Sequence, residues 1–509
     1  MKRRDFLGTG IGIGTGVATL ALTGAGRRAF AAALPAEITA FSAVDLSTAI
    51  ASREVGCVEV MAAYLERIRR HNPTYNAIIA MLPDDECVAL AAAADAELAR
   101  GRYRGWMHGM PHAVKDLTPA AGLAYTAGSP LFQDRIAEED GAVAASIRAA
   151  GAIFIGKTNV PEFGLGSQSY NPVWGATGCA YNPELTSGGS SGGAACGMAT
   201  QMLPIADGSD MMGSLRNPGA FNNVIGFRPS AGLVTGDDPF SRTLRTAGPM
   251  GRDTADTIRL LHTLAQEPGP EQPAALRDAL PDIAEYRPRE LAGARIGWMG
   301  SYEGYLALEP GILDLCESNL AALEAEGAIV EPVMPRFDMA ELFQCWLDLR
   351  NQRRIGMREY YENEDTRPLL KPELVWEIEQ GYELDAADIN RANDTRRRWY
   401  AEVNRLFTLY DFLALPTAQV FPFPKTTPWP REINGRAMDT YHRWMEVVIG
   451  GSLVGIPVIN VPAGFDARGR PMGMQVMGAF ARDRHVLEFA LNWEAITNHL
   501  ARRPELAPA

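Results

Sequence analysis

Two serine–glycine runs and one lysine are the residues of this chain whose types and spacing could do chemistry. The first run is Ser187-Gly188-Gly189-Ser190-Ser191-Gly192-Gly193-Ala194. The second extends from Asp207 and Asp210 through Met211-Met212-Gly213-Ser214 to Arg216 and Pro218. Such glycine density costs chain entropy, so it implies backbone conformations or close approaches that a side chain forbids. Backbone N–H groups in loops of this kind can hold an anion or a developing oxyanion. The lysine is Lys115, which follows the apolar, strand-like Met110-Pro111-His112-Ala113-Val114 and is carried inward with it. A lysine serves as a base only where burial or positive neighbours lower its pKa and leave neutral amine near neutral pH.

Two other readings of the serines compete. Gly188-Gly189-Ser190-Ser191-Gly192 matches the G-x-S-x-G nucleophile elbow, but that motif needs an apolar strand before it. Tyr181 to Thr186 is a poor strand, and His262, His442, His485 and His499 have no telling neighbourhood as bases. A Gly/Ser linker without chemistry fits the first run but not the second.

Together the three segments resemble the amidase-signature family: Lys115, Ser190 and Ser214 stand at its motif positions. The likeness extends through Gly151 to Gly164, Asn217 to Gly232, Tyr410 to Thr417 and Gly455 to Gln475, and covers nearly all of residues 40–495. It implies that Ser214 attacks an amide carbonyl and that Ser190, on a cis peptide, bridges Ser214 to the base Lys115. It further implies an oxyanion hole of backbone N–H groups from Met211, Met212, Gly213 and Ser214. Asp210 and Arg216 would hold the loops, and Ser191 would orient. One departure is visible. The family usually has two glycines before the nucleophile, whereas this chain has Met212-Gly213, so the Met212 side chain must find room beside the acyl group. Asn171, Trp174 and Cys179, on the loop before the serine block, are candidates for substrate contact. In the 338–408 region Trp346, Tyr360 and Tyr361 are others, although a lone aromatic fits a core equally well.

The elements that position these residues read as α/β. Met61, Leu65 and Ile68 recur at helical spacing, residues 76–82 read as a strand, and Cys87 to Leu98 as an Ala-rich helix. Helix then strand follows at 141–155, and strand–helix–strand at 295–333. These units argue for a mixed sheet covered by helices. The resemblance implies the amidase-signature fold: one compact domain over 34–509, a large mixed β-sheet with helices on both faces. Residues 265–290 read as a surface connection, and the charged 338–408 region as helices near the substrate site. The uncharged run 447–465 reads as a buried strand with turns rather than a membrane span, because Pro457, Pro462 and Gly450-Gly451-Ser452 interrupt it.

Composition narrows the partners. The chain has 509 residues, 47% hydrophobic and 21% charged, with a formal net charge of −13 and no basic stripe. That balance disfavours nucleic acid and acidic membrane surfaces. Residues 1–33 read as a twin-arginine export signal: Lys2-Arg3-Arg4-Asp5-Phe6-Leu7, a Gly-rich apolar stretch, and small residues near Ala33. The mature protein is thus expected in the periplasm or secreted, without a membrane anchor. Six cysteines without paired spacing and seven scattered histidines predict no disulfide framework and no metal site. No cofactor is implied. The expected partner is a small-molecule amide, and a homodimer is left open. The whole reads as an exported amide hydrolase. A glutaminase component feeding a tRNA-charging partner disagrees with the leader, and a non-catalytic binding protein on the same fold disagrees with an intact triad.

Overall fold

The computed structural model describes residues 37–234, 244–265, 274–277 and 279–506. The leader read at 1–33 lies outside the described residues, as do 266–273 and 278 of the 265–290 connection. Helix α1 (Ala43–Ala51) is capped by Ser42, whose hydroxyl accepts from the Asp45 N–H. Helix α2 (Cys57–Tyr75) buries Val60, Met61, Tyr64, Leu65 and Ile68, the stripe read from the spacing. Asn76 ends it in the left-handed conformation, and strand β1 shrinks to Ile78–Ile79, far shorter than the strand read over 76–82. The reason is the turn at Ala80, also at positive φ, which leads into α3 (Asp84–Ala99).

Strands β2 (Pro111–Lys115) and β3 (Ile153–Thr158) run parallel, with α4 (Ala142–Ala149) between them in sequence and β1 antiparallel on the far side of β3. A second, eight-stranded sheet forms the body. Its strands are β4 (Ala206–Asp210), β5 (Ile225–Arg228), β6 (Thr246–Gly251), β7 (Arg295–Trp298), β8 (Ile329–Pro332), β9 (Phe412–Pro416), β10 (Val458–Phe465) and β11 (Pro471–Met477), in spatial order β8-β7-β9-β11-β10-β5-β6-β4. Strand β7 pairs in parallel with β8 and β9, and the other neighbours are antiparallel, so the sheet is mixed as expected. Every residue of β9 and β11 is buried, which requires cover on both faces. Helices α5 (Gly192–Ala199), α6 (Arg216–Asn222), α7 (Thr254–Leu264) and α8 (Ile312–Ala325) supply part of it.

The run 447–465 divides where a single strand with turns was read. Ile449–Val454 is a short helix ended by Gly455 at φ 68°, and Val458–Phe465 alone is strand. Small residues permit this because a Cβ on Gly451 would lie 2.8 Å from the Val458 side chain. No helix among the described residues is long and apolar enough to cross a membrane.

The charged region folds as α9 (Met339–Arg354), α10 (Arg358–Glu362), α11 (Pro372–Tyr382) and α12 (Ala386–Leu406), the helices read for it. Asp338 caps α9, and a capping box of Asp385 and Asp388 opens α12. Their apolar faces build a second core in which Leu342, Trp346 and Trp399 join Phe221 and Met212. This core hangs the helical region over the end of β4, and the fold is one compact domain.

Candidate active site

Lys115 is the last residue of β2, and its side chain is fully buried. Its backbone N–H donates to Asp207 Oδ1 at 3.2 Å, and His112 Nε2 meets the same oxygen at 3.1 Å. Asp207 lies in β4, so one carboxylate fixes the end of β2 against the main sheet. From there Lys115 Nζ donates to Ser190 Oγ at 2.8 Å and Ser191 Oγ at 2.7 Å. It also reaches the Ser209 hydroxyl at 3.2 Å and the Ser209 carbonyl at 3.3 Å. Three hydroxyls and one carbonyl carry no formal charge, so nothing in this cradle stabilises an ammonium as a carboxylate would. Burial pushes the amine down to about 7. Arg245 adds to the shift, and Asp207 and Asp210 oppose it.

The two serine–glycine runs meet at this amine. Ser190 and Ser191 precede α5, and the Gly189–Ser190 peptide is cis, as the resemblance implied. Ser191 N–H donates to the Ser214 carbonyl at 3.2 Å, which joins the runs. Gly193 shows what the glycines are for. A Cβ there would lie 2.3 Å from the Asn159 nitrogen and 2.4 Å from the Ala77 carbonyl, so α5 presses its backbone directly onto its neighbours. Gly213, by contrast, has φ 81°, which turns the chain before Ser214.

Asp210 organises the second run. Its carboxylate accepts from Gly213 N–H at 2.9 Å and Leu215 N–H at 3.2 Å, and takes two bonds from the Arg216 guanidinium at 3.0 Å each. Burial alone would raise this carboxyl, but Arg216 and Arg228 outweigh it and hold the group well below the usual range. Arg216 continues to Gln475 Oε1 at 2.7 Å, Ser452 Oγ at 2.8 Å and the Val448 carbonyl at 3.0 Å. The loop is thereby anchored to β11 and the short helix before β10.

Ser190, Ser209, Met211, Met212 and Ser214 all open onto one cavity of about 380 Å³. Its apolar wall includes Leu117, Phe132, Phe163, Met357 and Met445, and arginines from several elements complete it. The structure thus brings together Lys115, Ser190, Ser191, Asp210, Met211, Met212, Gly213, Ser214 and Arg216. Gly213 departs from the role expected of it, because its N–H already donates to Asp210.

The substrate candidates on the preceding loop are not brought in. Asn171 spends both ends of its amide on Asn159, Val160, Val173 and Trp174. Trp174 donates its indole N–H to Thr126, and Cys179, fully buried, donates to the Phe221 carbonyl. None of the three lines the cavity; they hold the loop under the serine block. Trp346 is core, while Tyr360 packs edge-on against Phe132, 5.6 Å between ring centres. The elbow reading lacks its parts as well. Asn182–Thr186 does form a strand, against expectation, but in a two-stranded ribbon with alternating exposure rather than a buried one. Among the described residues no histidine lines the cavity, and His442 is bound to Glu377 and pushed down to about 4 by burial. All six cysteines are free and buried.

Residues missed by sequence reasoning are Asp207 and Ser209, which complete the lysine cradle, and the cavity arginines. Asp207 and Ser209 stand inside the conspicuous second run, where period-2 alternation of buried polar residues was the available signal. Arg135 and Arg245 carried no signal at all.

Comparison with known proteins agrees with this geometry. The Amidase family model matches residues 59–487. An acylamidase of Rhodococcus erythropolis is 30% identical over 472 residues, 91% of this chain and 97% of that one. A glutamyl-tRNA(Gln) amidotransferase component from Thermosynechococcus vestitus is 30% identical over 491 residues, 91% and 99% of the two chains. Among solved structures, a bacterial aryl acylamidase of the amidase signature family superposes with a TM-score of 0.82 at 24% identity, covering 91% of this chain and 98% of that one. A matching family model across most of the chain, and a lysine–serine cradle between two glycine-rich runs, lead to one assignment: the chain belongs to the amidase family, the amidase-signature enzymes that hydrolyse amide C–N bonds.

Proposed function

We propose that this protein is an exported serine amidase that forms an acyl-enzyme on Ser214, with Lys115 as the base acting through Ser190. The observation that carries the reading is the fully buried Lys115 amine, 2.8 Å from Ser190 Oγ and lowered to about 7, beside the cavity that Ser214 opens onto.

Neutral Lys115 takes the proton of Ser190 Oγ as Ser190 takes that of Ser214 Oγ, and Ser214 attacks the amide carbonyl. Because Gly213 N–H is held by Asp210, the oxyanion falls to the N–H groups of Met211, Met212 and Ser214. On collapse the C–N bond breaks, and the proton returns from Lys115 through Ser190 to the departing amine. Water then attacks the Ser214 ester through the same relay, releasing the carboxylic acid and restoring the serine. Ser191 and Ser209 keep the amine aimed while it changes charge.

The amidotransferase component is an equally similar relative, but the twin-arginine leader favours work outside the cytoplasm over a partnership with tRNA-charging enzymes. Labelling with a fluorophosphonate probe and peptide mapping test the catalytic assignment. A label on Ser214 that is lost in Lys115→Ala is the expected result. A label on Ser190 that survives Lys115→Ala would overturn it.

A further inference from the structure

The cavity that holds Ser214 carries an unusual charge for this chain. The protein as a whole has 61 acidic and 48 basic residues, yet the described residues that line the cavity include Arg135, Arg245, Arg350, Arg353 and Arg354 and no aspartate or glutamate. These arginines come from three separate parts of the chain: the loop after β2, the segment before β6, and α9. Convergence from separate elements is a property of the site rather than of one basic stretch.

Among the described residues Arg350 and Arg354 share a single carboxylate, which leaves positive charge in excess. Arg350 Nε donates to Glu377 Oε1 at 2.5 Å, and Arg354 Nε donates to Glu377 Oε2 at 2.8 Å, so one carboxylate serves two guanidinium groups. The same carboxylate also takes hydrogen bonds from Tyr441 and His442. Glu377 is fully buried behind α9, and burial would raise it, but Arg350 and Arg354 outweigh that and hold it ionised. It therefore fixes the two side chains in place without cancelling both. Arg350 also reaches Tyr441 OH at 3.1 Å and Met211 Sδ at 3.4 Å, which places its guanidinium against the loop that carries Ser214.

Arg135 is held differently. Its guanidinium stacks 3.8 Å from the Tyr125 ring centre and 4.1 Å from that of Phe132, and its Nε donates to the Tyr125 carbonyl at 2.7 Å. Arg245 is exposed, and no carboxylate among the described residues pairs with it or with Arg135. Rings and carbonyls orient a guanidinium but leave its charge in place. Around these groups the wall is apolar: Leu117, Phe132, Phe163, Met212, Met357 and Met445. A small cavity with an apolar wall and fixed guanidinium groups focuses a positive field on its contents.

We propose that this site selects amides that carry a carboxylate, the anion being held by Arg245, Arg135 and the α9 residues Arg350 and Arg354 while the apolar wall takes the segment between it and the scissile bond. Planar guanidinium groups match a carboxylate through paired N–H donors, which a neutral amide of the same shape cannot exploit. The inference rests on the amidase reading of the site, and the two are tested separately.

Binding is read by calorimetry on Ser214→Ala protein, so turnover is not needed. Two matched pairs serve as probes. Glutaric acid mono-para-nitroanilide against pentanoic acid para-nitroanilide places the carboxylate on the acyl part. para-Pentanamidobenzoate against its carboxamide places it on the amine part. In at least one pair the charged member is expected to bind about tenfold more tightly or better, a preference that shrinks in high salt. Adding Arg245→Gln or Arg135→Gln to the Ser214→Ala protein brings the ratio toward one. Equal binding within both pairs, or measurable binding of neither, overturns the carboxylate proposal. Turnover of the same probes by the unaltered protein reads the other hypothesis: charged preference in binding with no hydrolysis and no label on Ser214 overturns the amidase assignment alone.

Discussion

At the scale of single residues, the proposed chemistry depends on one proton. Lys115 has its amine lowered to about 7 by burial first and Arg245 second, with Asp207 and Asp210 pulling the other way. The proposed mechanism requires the neutral amine, so the rate is expected to fall as pH drops through that value and to be sustained at neutral to alkaline pH. Initial rates with a neutral anilide across pH check this, and an optimum near pH 4 contradicts it. Arg245→Gln removes a positive charge that disfavours the ammonium, so the lysine pKa rises and the acid limb of kcat/KM moves to higher pH. An unmoved limb would show that Arg245 does not act on the base. Met212 answers the departure seen in the sequence. It is only 4% exposed and packs into the second core while still touching the cavity. Met212→Gly is expected to raise the relative rate for branched over short acyl groups; unchanged ratios across an acyl series would remove it as a determinant. Because a buried thioether is lost, stability should also fall by about 2–5 kcal/mol, as for large-to-small core changes, measured by urea unfolding.

At the scale of elements, the site stands where a strand end, two helix starts and a loop converge. Each depends on a particular polar tie. Asp207 links β2 to β4, and Asp210 links the Ser214 loop to Arg216 and Arg228. Both arginines are fully buried. Asp210→Asn therefore leaves two buried cations without their carboxylate, and a loss of about 3–5 kcal/mol is expected from urea midpoints. The same change loosens Gly213 and Leu215, so kcat should fall in the fraction that stays folded. The pH dependence has a definite sign. A carboxylate held below its usual range contributes stability that is complete above that range and is lost progressively below it, as pH falls to the depressed value of the folded state. In Asp210→Asn this acid-side loss diminishes. Helix α9 works at the same scale, since its cap at Asp338 and its apolar face set Arg350 and Arg354 against Glu377.

At the scale of the whole molecule, an acidic chain encloses a basic cavity, and the proposed export rests on the twin arginine at Arg3 and Arg4. Replacing Arg3 and Arg4 by lysines is expected to keep the protein in the cytoplasm, read by fractionation with activity as the marker; unchanged distribution would reject the twin-arginine reading. Much of the architecture is legible in the sequence itself. Helical spacing at Met61, Leu65 and Ile68, the strand–helix–strand unit at 295–333 and the helices of 338–408 are local patterns, and a pattern set by 3.6- or 2-residue periods is written in the order of residues. The two glycine-rich runs and Lys115 are legible for a different reason: glycine in such density is tolerated only where backbone must turn or touch, as at Gly213 and Gly193. What the sequence could not decide was contact between distant segments. Asn171 and Trp174 lie near the serine block in the chain yet point into its support, whereas Arg135, Arg245 and Arg350, far apart in the chain, share one cavity wall. The run 447–465 became part helix because Gly451 packs on Val458, a packing fact with no local signature. Residue order thus determined which elements form and which groups are chemically able. The tertiary structure alone decided which charges face one another across the cavity, because that depends on how separately folded elements bury their apolar faces together.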